Sequence, residues 1–212
     1  MNHQDHVGLL KAAVPPGVAT WADLGSGTGA FTLALADLLG PGARIVSVDR
    51  DGGALREQAR TMGERFPEVA LDQRQADFTG ELQLPPLDGL LMANSLHFVR
   101  DKRELLPRLL GAIRPRGRFV LVEYDVDQGN PWVPYPVSFK AWRAMAGDLA
   151  LLATRLAGRV PSRFLDSIYS AVSEVPSTPP ADRVMALSGR RFDRRSPSRP
   201  RSRSRRRPRP RL

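Results

Sequence analysis

The stretch Asp23-Leu24-Gly25-Ser26-Gly27-Thr28-Gly29 decides the fold. A short apolar run, residues 18–24, leads into it, and residues 30–39, apolar on nearly every side, follow it. An apolar run, a glycine turn and an apolar helix read as a buried strand feeding a buried helix. The three glycines allow a tight turn and let a ligand come close to the main chain. The helix that opens after them turns unbonded N–H groups toward a carboxylate or phosphate.

The same alternation extends outward from this stretch. Residues 6–13 read as a short helix, stopped by Pro15-Pro16-Gly17. Residues 44–48 read as a strand ending at Asp49, and residues 53–66 as a helix with Leu55, Ala59, Met62 and Phe66 on one face. A third strand, residues 69–75, ends at Asp77-Phe78, and a fourth, residues 87–92, ends at Asn94. Residues 102–113 read as a helix kinked at Pro107. Arg114-Pro115-Arg116-Gly117 reads as a turn before a fifth strand at residues 119–124. Strands alternating with helices predict an α/β fold: a Rossmann-like, doubly wound, mainly parallel sheet with helices on both faces. Beyond it, residues 129–136 form a Pro-rich loop carrying Trp132, residues 138–156 read as largely helical, and residues 167–175 as a last strand.

The chain has 212 residues, no Cys and a formal net charge of +10. The absence of Cys excludes a disulfide scaffold, a Cys-ligated zinc and a thiolate nucleophile. No run approaches the ~18 apolar residues of a membrane span, and the start lacks a basic-then-apolar signal pattern, so the expected compartment is the cytoplasm. The charge is uneven: residues 190–212 hold 12 Arg and one acid, a net +11 that leaves −1 for residues 1–189. The expected organisation is one domain over residues 1–178 and a disordered Arg/Ser/Pro-rich tail over residues 179–212. The tail reads as an arm for RNA or another polyanion, as an inert extension, or as a shifted reading frame of G/C-rich DNA. The last reading rests on 29 Arg against 3 Lys in the chain. No aromatic follows Phe192 to stack on a base, so nucleic-acid binding is not the favoured role.

Asp49 follows Gly25 by 24 residues, at a strand end where a carboxylate can accept from both ribose hydroxyls. Gly25-x-Gly27-x-x-Ala30 also satisfies a relaxed dinucleotide pattern, which keeps an NAD(P)-dependent oxidoreductase open. Three features favour another ligand. Asp23 would repel a pyrophosphate and attract an ammonium, Gly29 completes G-x-G-x-G, and Asp77-Phe78 can meet an adenine. An ammonium, a ribose and an adenine without phosphate describe S-adenosylmethionine.

On these residues the sequence resembles the class I S-adenosylmethionine-dependent methyltransferases of small-molecule type. Asp23 to Gly29 resembles their first motif, Asp49 their ribose acid and Asp77-Phe78 their adenine contact. Asn94-Ser95-Leu96-His97-Phe98 resembles their segment after strand four, and Arg114-Pro115-x-Gly117 the turn before strand five. The resemblance implies a seven-stranded sheet with one antiparallel strand near the C-terminal edge. It implies cofactor contacts from Asp23, Gly25, Ser26, Gly27, Thr28, Gly29, Asp49, Arg50, Asp77, Phe78, Asn94 and Ser95. The family's base-amine methyltransferases carry Asn/Asp-Pro-Pro-aromatic after strand four, and Asn94-Ser95-Leu96-His97 departs from it. The expected activity is methyl transfer to a small molecule. The alternative is an RNA methyltransferase, or an adenosyl-binding module tethered to RNA by the tail.

In-line methyl transfer depends mainly on positioning, and a base is needed only where the acceptor must lose a proton. His97, Glu123, Tyr124 and Asp125 sit at the ends of strands four and five. His97 is the expected base because an unperturbed imidazole titrates near neutrality. Glu123 and Asp125 read as solvated or loop-capping, Trp132 and Tyr135 as pocket wall or loop packing, and His3 and His6 as exposed terminal residues. No His/Asp/Glu grouping has metal-ligand spacing, so no metal is expected.

Overall fold

The computed structural model describes residues 1–177. The domain boundary expected at residue 178 and the disorder expected beyond it lie outside the described residues. The elements run α1 (His3–Leu10), β1 (Thr20–Leu24), α2 (Ala30–Leu39), β2 (Arg44–Asp49), α3 (Gly52–Arg65), β3 (Ala70–Gln75), β4 (Leu87–Ala93), α4 (Lys102–Leu110), β5 (Ile113–Tyr124), α5 (Phe139–Asp148), β6 (Leu152–Pro161) and β7 (Ser167–Glu174).

The seven strands form one sheet in the order β3-β2-β1-β4-β5-β7-β6. The first five are parallel, and β7 runs antiparallel to both β5 and β6. The sheet thus departs from the 3-2-1-4-5-6 order of dinucleotide-binding folds, because a reversed strand is inserted before the edge. Alternating residues of β1 and β4 face two separate cores. Ala22, Leu24, Leu90 and Met92 join residues of α4 and α5 on one face. Trp21, Leu91 and Ala93 join residues of α1, α2 and Met62 of α3 on the other. This two-sided burial explains why the central strands read as continuous apolar runs rather than alternating ones.

Five expectations need correction. Helix α1 starts at residue 3, not 6, because Asn2 and Asp5 form a reciprocal capping box. His3 then reaches Asp37 of α2 at 3.0 Å, and His6 packs on Phe31 with ring centroids 4.7 Å apart, so neither is a free terminal residue. Helix α4 stops at Leu110, and Ile113 belongs to β5. The expected turn at Arg114–Gly117 is a bulge inside β5. Leu87 pairs Ile113 while Gly89 pairs Arg118, and Arg116 absorbs the slack at φ 64. The helix expected through residue 156 ends at Asp148, because the chain turns at Ala150 (φ 53) and Leu152–Pro161 zips onto β7.

Parallel strands bring the C-terminal ends of β1 to β5 to one edge of the sheet. Because β7 is reversed, the short connection from β6 to β7 lies at that same edge. Among the described residues no helix is long and apolar enough to cross a membrane.

Candidate active site

A cavity of about 660 Å³ opens at this edge. Nine of the twelve expected cofactor residues line it: Gly25, Gly27, Thr28, Asp49, Arg50, Asp77, Phe78, Asn94 and Ser95. Asp51, Ala54, Ala76, Thr79, Phe98 and Val99 complete the wall; of these the sequence reading quoted only Phe98, as the end of the segment after strand four, and gave it no role. Most are short or apolar and carry no chemical signature of their own. Only their position beside Asp49, Asp77 and His97 in the chain could have pointed to them.

The glycine loop is held in place by main-chain geometry. Gly25, Gly27 and Gly29 all have positive φ, the left-handed region that favours glycine. At Gly25 the crowding is also severe: a Cβ there would lie 2.5 Å from Ser95 Cβ and 3.3 Å from a ring carbon of Phe78. The Ser95 hydroxyl donates to the Leu24 carbonyl at 2.7 Å, which fixes the end of β4 against the loop. Asp49 Oδ2 accepts from the Gly27 N–H at 2.7 Å, and its Oδ1 from the Asp51 N–H at 2.9 Å. A carboxylate has about four acceptor positions, so each oxygen keeps capacity toward the cavity.

Asp77 Oδ1 accepts from the Thr79 hydroxyl and N–H, and those bonds hold its carboxyl below the usual carboxylate range. Asn94 stands in the left-handed region at φ 51, which Asn tolerates. Its Oδ1 is buried and has no hydrogen-bond partner. An orphaned acceptor on a cavity wall is costly unless something fills it, by ~1–3 kcal/mol for a neutral group.

Three expected residues stand off the wall. Gly29 is the N-cap of α2. Ser26 joins a buried chain of hydroxyls and amides, in which Ser47 donates to Gln58 Oε1, leaving the Ser26 hydroxyl to donate to Ser47, and the Gln58 amide N–H donates to Thr32. Asp23 is buried and accepts from the Thr32 hydroxyl at 2.6 Å. Burial pushes its carboxyl up to about 7, against the pull of that hydroxyl.

His97 sits beside the cavity, in the 3-10 turn Leu96–Phe98 after β4. Its ring Nδ1 lies 2.5 Å from Glu123 Oε2, and its backbone N–H donates to Glu123 Oε1 at 3.0 Å. Glu123 is fully buried on β5, so the reading of it as solvated is corrected: the opposing His97 encloses it. Asp125 does cap a loop, accepting from the Phe139 N–H at 2.8 Å, and it pairs with Arg159. A carboxylate can only accept, so the pair makes Nδ1 the protonated ring nitrogen and leaves Nε2 with no hydrogen bond among the described residues.

A second cavity, about 320 Å³, is lined by Asn94, His97, Phe98, Tyr124, Trp132, Val133 and Phe164. It shares Asn94 and Phe98 with the first. Its outer wall is the loop after β5. Lys102 staples that loop, donating from Nζ to the Val99 and Tyr135 carbonyls at 2.6 and 2.8 Å. Partial burial lowers the Lys102 pKa, with Glu123 opposing the shift. Among the described residues no group of three or more His, Asp and Glu side chains could hold a metal ion.

Residues 22–119 match a family model described as a methyltransferase domain. No curated protein matches the sequence. Among solved structures, YcgJ from Bacillus subtilis is similar at 14% identity and a TM-score of 0.64, over 83% of this chain and 100% of that one. An S-adenosylmethionine-dependent methyltransferase from Aquifex aeolicus is similar at 15% identity and a TM-score of 0.57, over 81% and 87%. Phosphoethanolamine N-methyltransferase 2 from Haemonchus contortus, in complex with S-adenosyl-L-methionine, is similar at 14% identity and a TM-score of 0.64. There the match covers 82% of this chain and 52% of that one. At these identities the structural likeness speaks for the fold alone. With the methyltransferase-domain match over residues 22–119, a little under half of the chain, the fold is similar to that of the class I, Rossmann-like methyltransferases, the class whose cofactor is S-adenosylmethionine.

Proposed function

We propose that this chain transfers a methyl group from S-adenosylmethionine to a small-molecule acceptor, with His97 as the proton acceptor. The observation that carries the reading is the pair of adjoining cavities. One is lined by the glycine loop and the strand-end acids, the other by His97, and Asn94 and Phe98 belong to both.

The donor set fits the cofactor. Asp49 would accept from the ribose hydroxyls, and Asp77 with Phe78 would meet the adenine. The orphaned Asn94 Oδ1 would accept from the ammonium, a role the sequence reading gave to Asp23. When bound, S-adenosylmethionine supplies an electrophilic methyl group on a sulfonium. The protein's part is to orient and to exclude water, an effect worth ~7–11 kcal/mol in well-ordered reactions. Glu123 holds the His97 ring with Nε2 free, so Nε2 can take a proton from an acceptor in the second cavity.

The test is thermal unfolding with S-adenosylhomocysteine and NADH side by side. A ligand at ~100 times its Kd stabilises the folded state by ~2.7 kcal/mol. S-Adenosylhomocysteine should raise the Tm and NADH should not. A shift with NADH alone would overturn the reading.

A further inference from the structure

The geometry points to a planar aromatic hydroxyl compound as the methyl acceptor, an assignment that rests on the proposed methyl transfer. The second cavity has a wall of rings: Phe98, Tyr124, Trp132 and Phe164. Trp132 and Tyr124 each meet Phe164 edge-on, with centroids 5.9 and 5.7 Å apart. Phe98, Trp132 and Phe164 are all at least half exposed, although large apolar side chains on a folded surface are ordinarily covered. A wall of exposed rings suits another flat ring, since offset and T-shaped pairs are the favoured geometries.

The polar content of this cavity narrows the choice further. The lining includes no Lys, Arg, Asp or Glu. A carboxylated or phosphorylated acceptor would find no cation there and would face the buried Glu123 carboxylate behind His97. A cationic acceptor would find no acid on the wall. What the wall offers is uncharged polar groups, Asn94, the Tyr124 hydroxyl and the Trp132 indole N–H, together with His97, whose Nε2 has no protein partner among the described residues. A free ring nitrogen is useful when the acceptor has a proton to lose, as a hydroxyl does and a tertiary amine does not. In the step, the hydroxyl proton passes to His97 Nε2. The oxygen's electron pair forms the bond to the cofactor's methyl carbon. The carbon–sulfur bond breaks with its electrons left on sulfur, giving an aryl methyl ether, S-adenosylhomocysteine and a protonated His97 that returns its proton to water.

The structure also provides an optical readout. Trp21 and Trp142 lie in the two cores, while Trp132 is 68% exposed on the cavity wall. The experiment loads the full chain with S-adenosylhomocysteine, verified by calorimetry, and titrates 2-naphthol against tryptophan fluorescence. Saturable quenching is expected, at least ~10-fold tighter than binding of decahydro-2-naphthol or 2-naphthoate, a difference of ~1.4 kcal/mol. Phe164 lies on the short β6–β7 connection and is half exposed, so Phe164→Ala should keep S-adenosylhomocysteine affinity while weakening 2-naphthol. With S-adenosylmethionine, wild type should form 2-methoxynaphthalene, and His97→Gln should form it at least ~100-fold more slowly. Equal binding of the saturated or carboxylated analogue, tighter binding of indole, or no quenching in the loaded protein would overturn the aromatic hydroxyl assignment and leave methyl transfer standing. Failure to bind S-adenosylhomocysteine would overturn both.

Discussion

The two adjoining cavities are built from different materials. The larger is shaped first by main chain at strand ends, where three glycines with positive φ and the Asp49 and Ser95 hydrogen bonds set its form. The smaller is shaped by long side chains from three segments far apart in the chain: the turn after β4, the loop after β5 and the β6–β7 connection. Backbone geometry tolerates few substitutions and suits a ligand that does not change. A wall of side chains can be re-cut one residue at a time and suits a ligand that does. The comparison teaches where specificity can vary in this chain and where it cannot.

The sharpest way to break the comparison is at His97, which belongs to the second cavity alone. His97→Gln should lower turnover by ~10²–10⁴ while S-adenosylhomocysteine affinity holds, as removal of a general base does. Steady-state rates beside calorimetry check this, and a parallel loss of cofactor affinity would mean that the two cavities are one unit.

Asp23 tests the rigid side through stability. Its folded carboxyl titrates at about 7 against an ordinary 3.8, so the folded state holds a proton the unfolded chain has lost between those values. Stability contributed by this group is full below pH 3.8 and is lost as pH rises through about 7. Asp23→Asn should flatten that decline, with a gain at pH 8 capped at roughly 4 kcal/mol by linkage. Denaturant melts across the pH range measure it, and an unchanged pH profile would remove Asp23 as the cause.

Asp49→Ala should weaken S-adenosylhomocysteine by ~1.5–3 kcal/mol, the size of a hydrogen bond to a charged group. Binding of 2-naphthol should change little, which sharpens the division between the two cavities. Calorimetry with unchanged cofactor affinity would take Asp49 out of the site.

The smallest effect is expected from deleting residues 190–212. Every lining residue of both cavities lies between Gly25 and Phe164, so cofactor affinity and Tm should stay put. Loss of methyl transfer to an RNA on truncation would favour the RNA-directed alternative.

How far the sequence could be read follows the same division. The glycine loop, Asp49 and the strands β1 to β5 were legible because each is a local event: an apolar run, a turn and a helix in succession. Capping at Asn2 was equally local and was overlooked. The β6 strand was not legible. Leu152–Pro161 is an exposed edge whose burial does not alternate cleanly, and only pairing with β7 makes it a strand. Glu123 misled for a related reason. An acid at a strand end reads as solvated, and its burial is decided by His97, 26 residues away on another strand's exit. Asp23 stood out in the sequence by its place before Gly25, while its burial and its bond to Thr32 on the following helix were not legible.

The reversed β7 strand has a consequence for how this domain could be retuned. Had β7 run parallel, reaching it from β6 would have taken a crossover of a dozen or more residues on a face of the sheet. As built, five residues, Ser162 to Asp166, carry the chain back and deliver Phe164 to the rim of the second cavity. A connection of that kind can be lengthened, shortened or grafted without rethreading any strand. Loop exchange at residues 162–166 is therefore the cheapest design handle on which acceptors this domain admits.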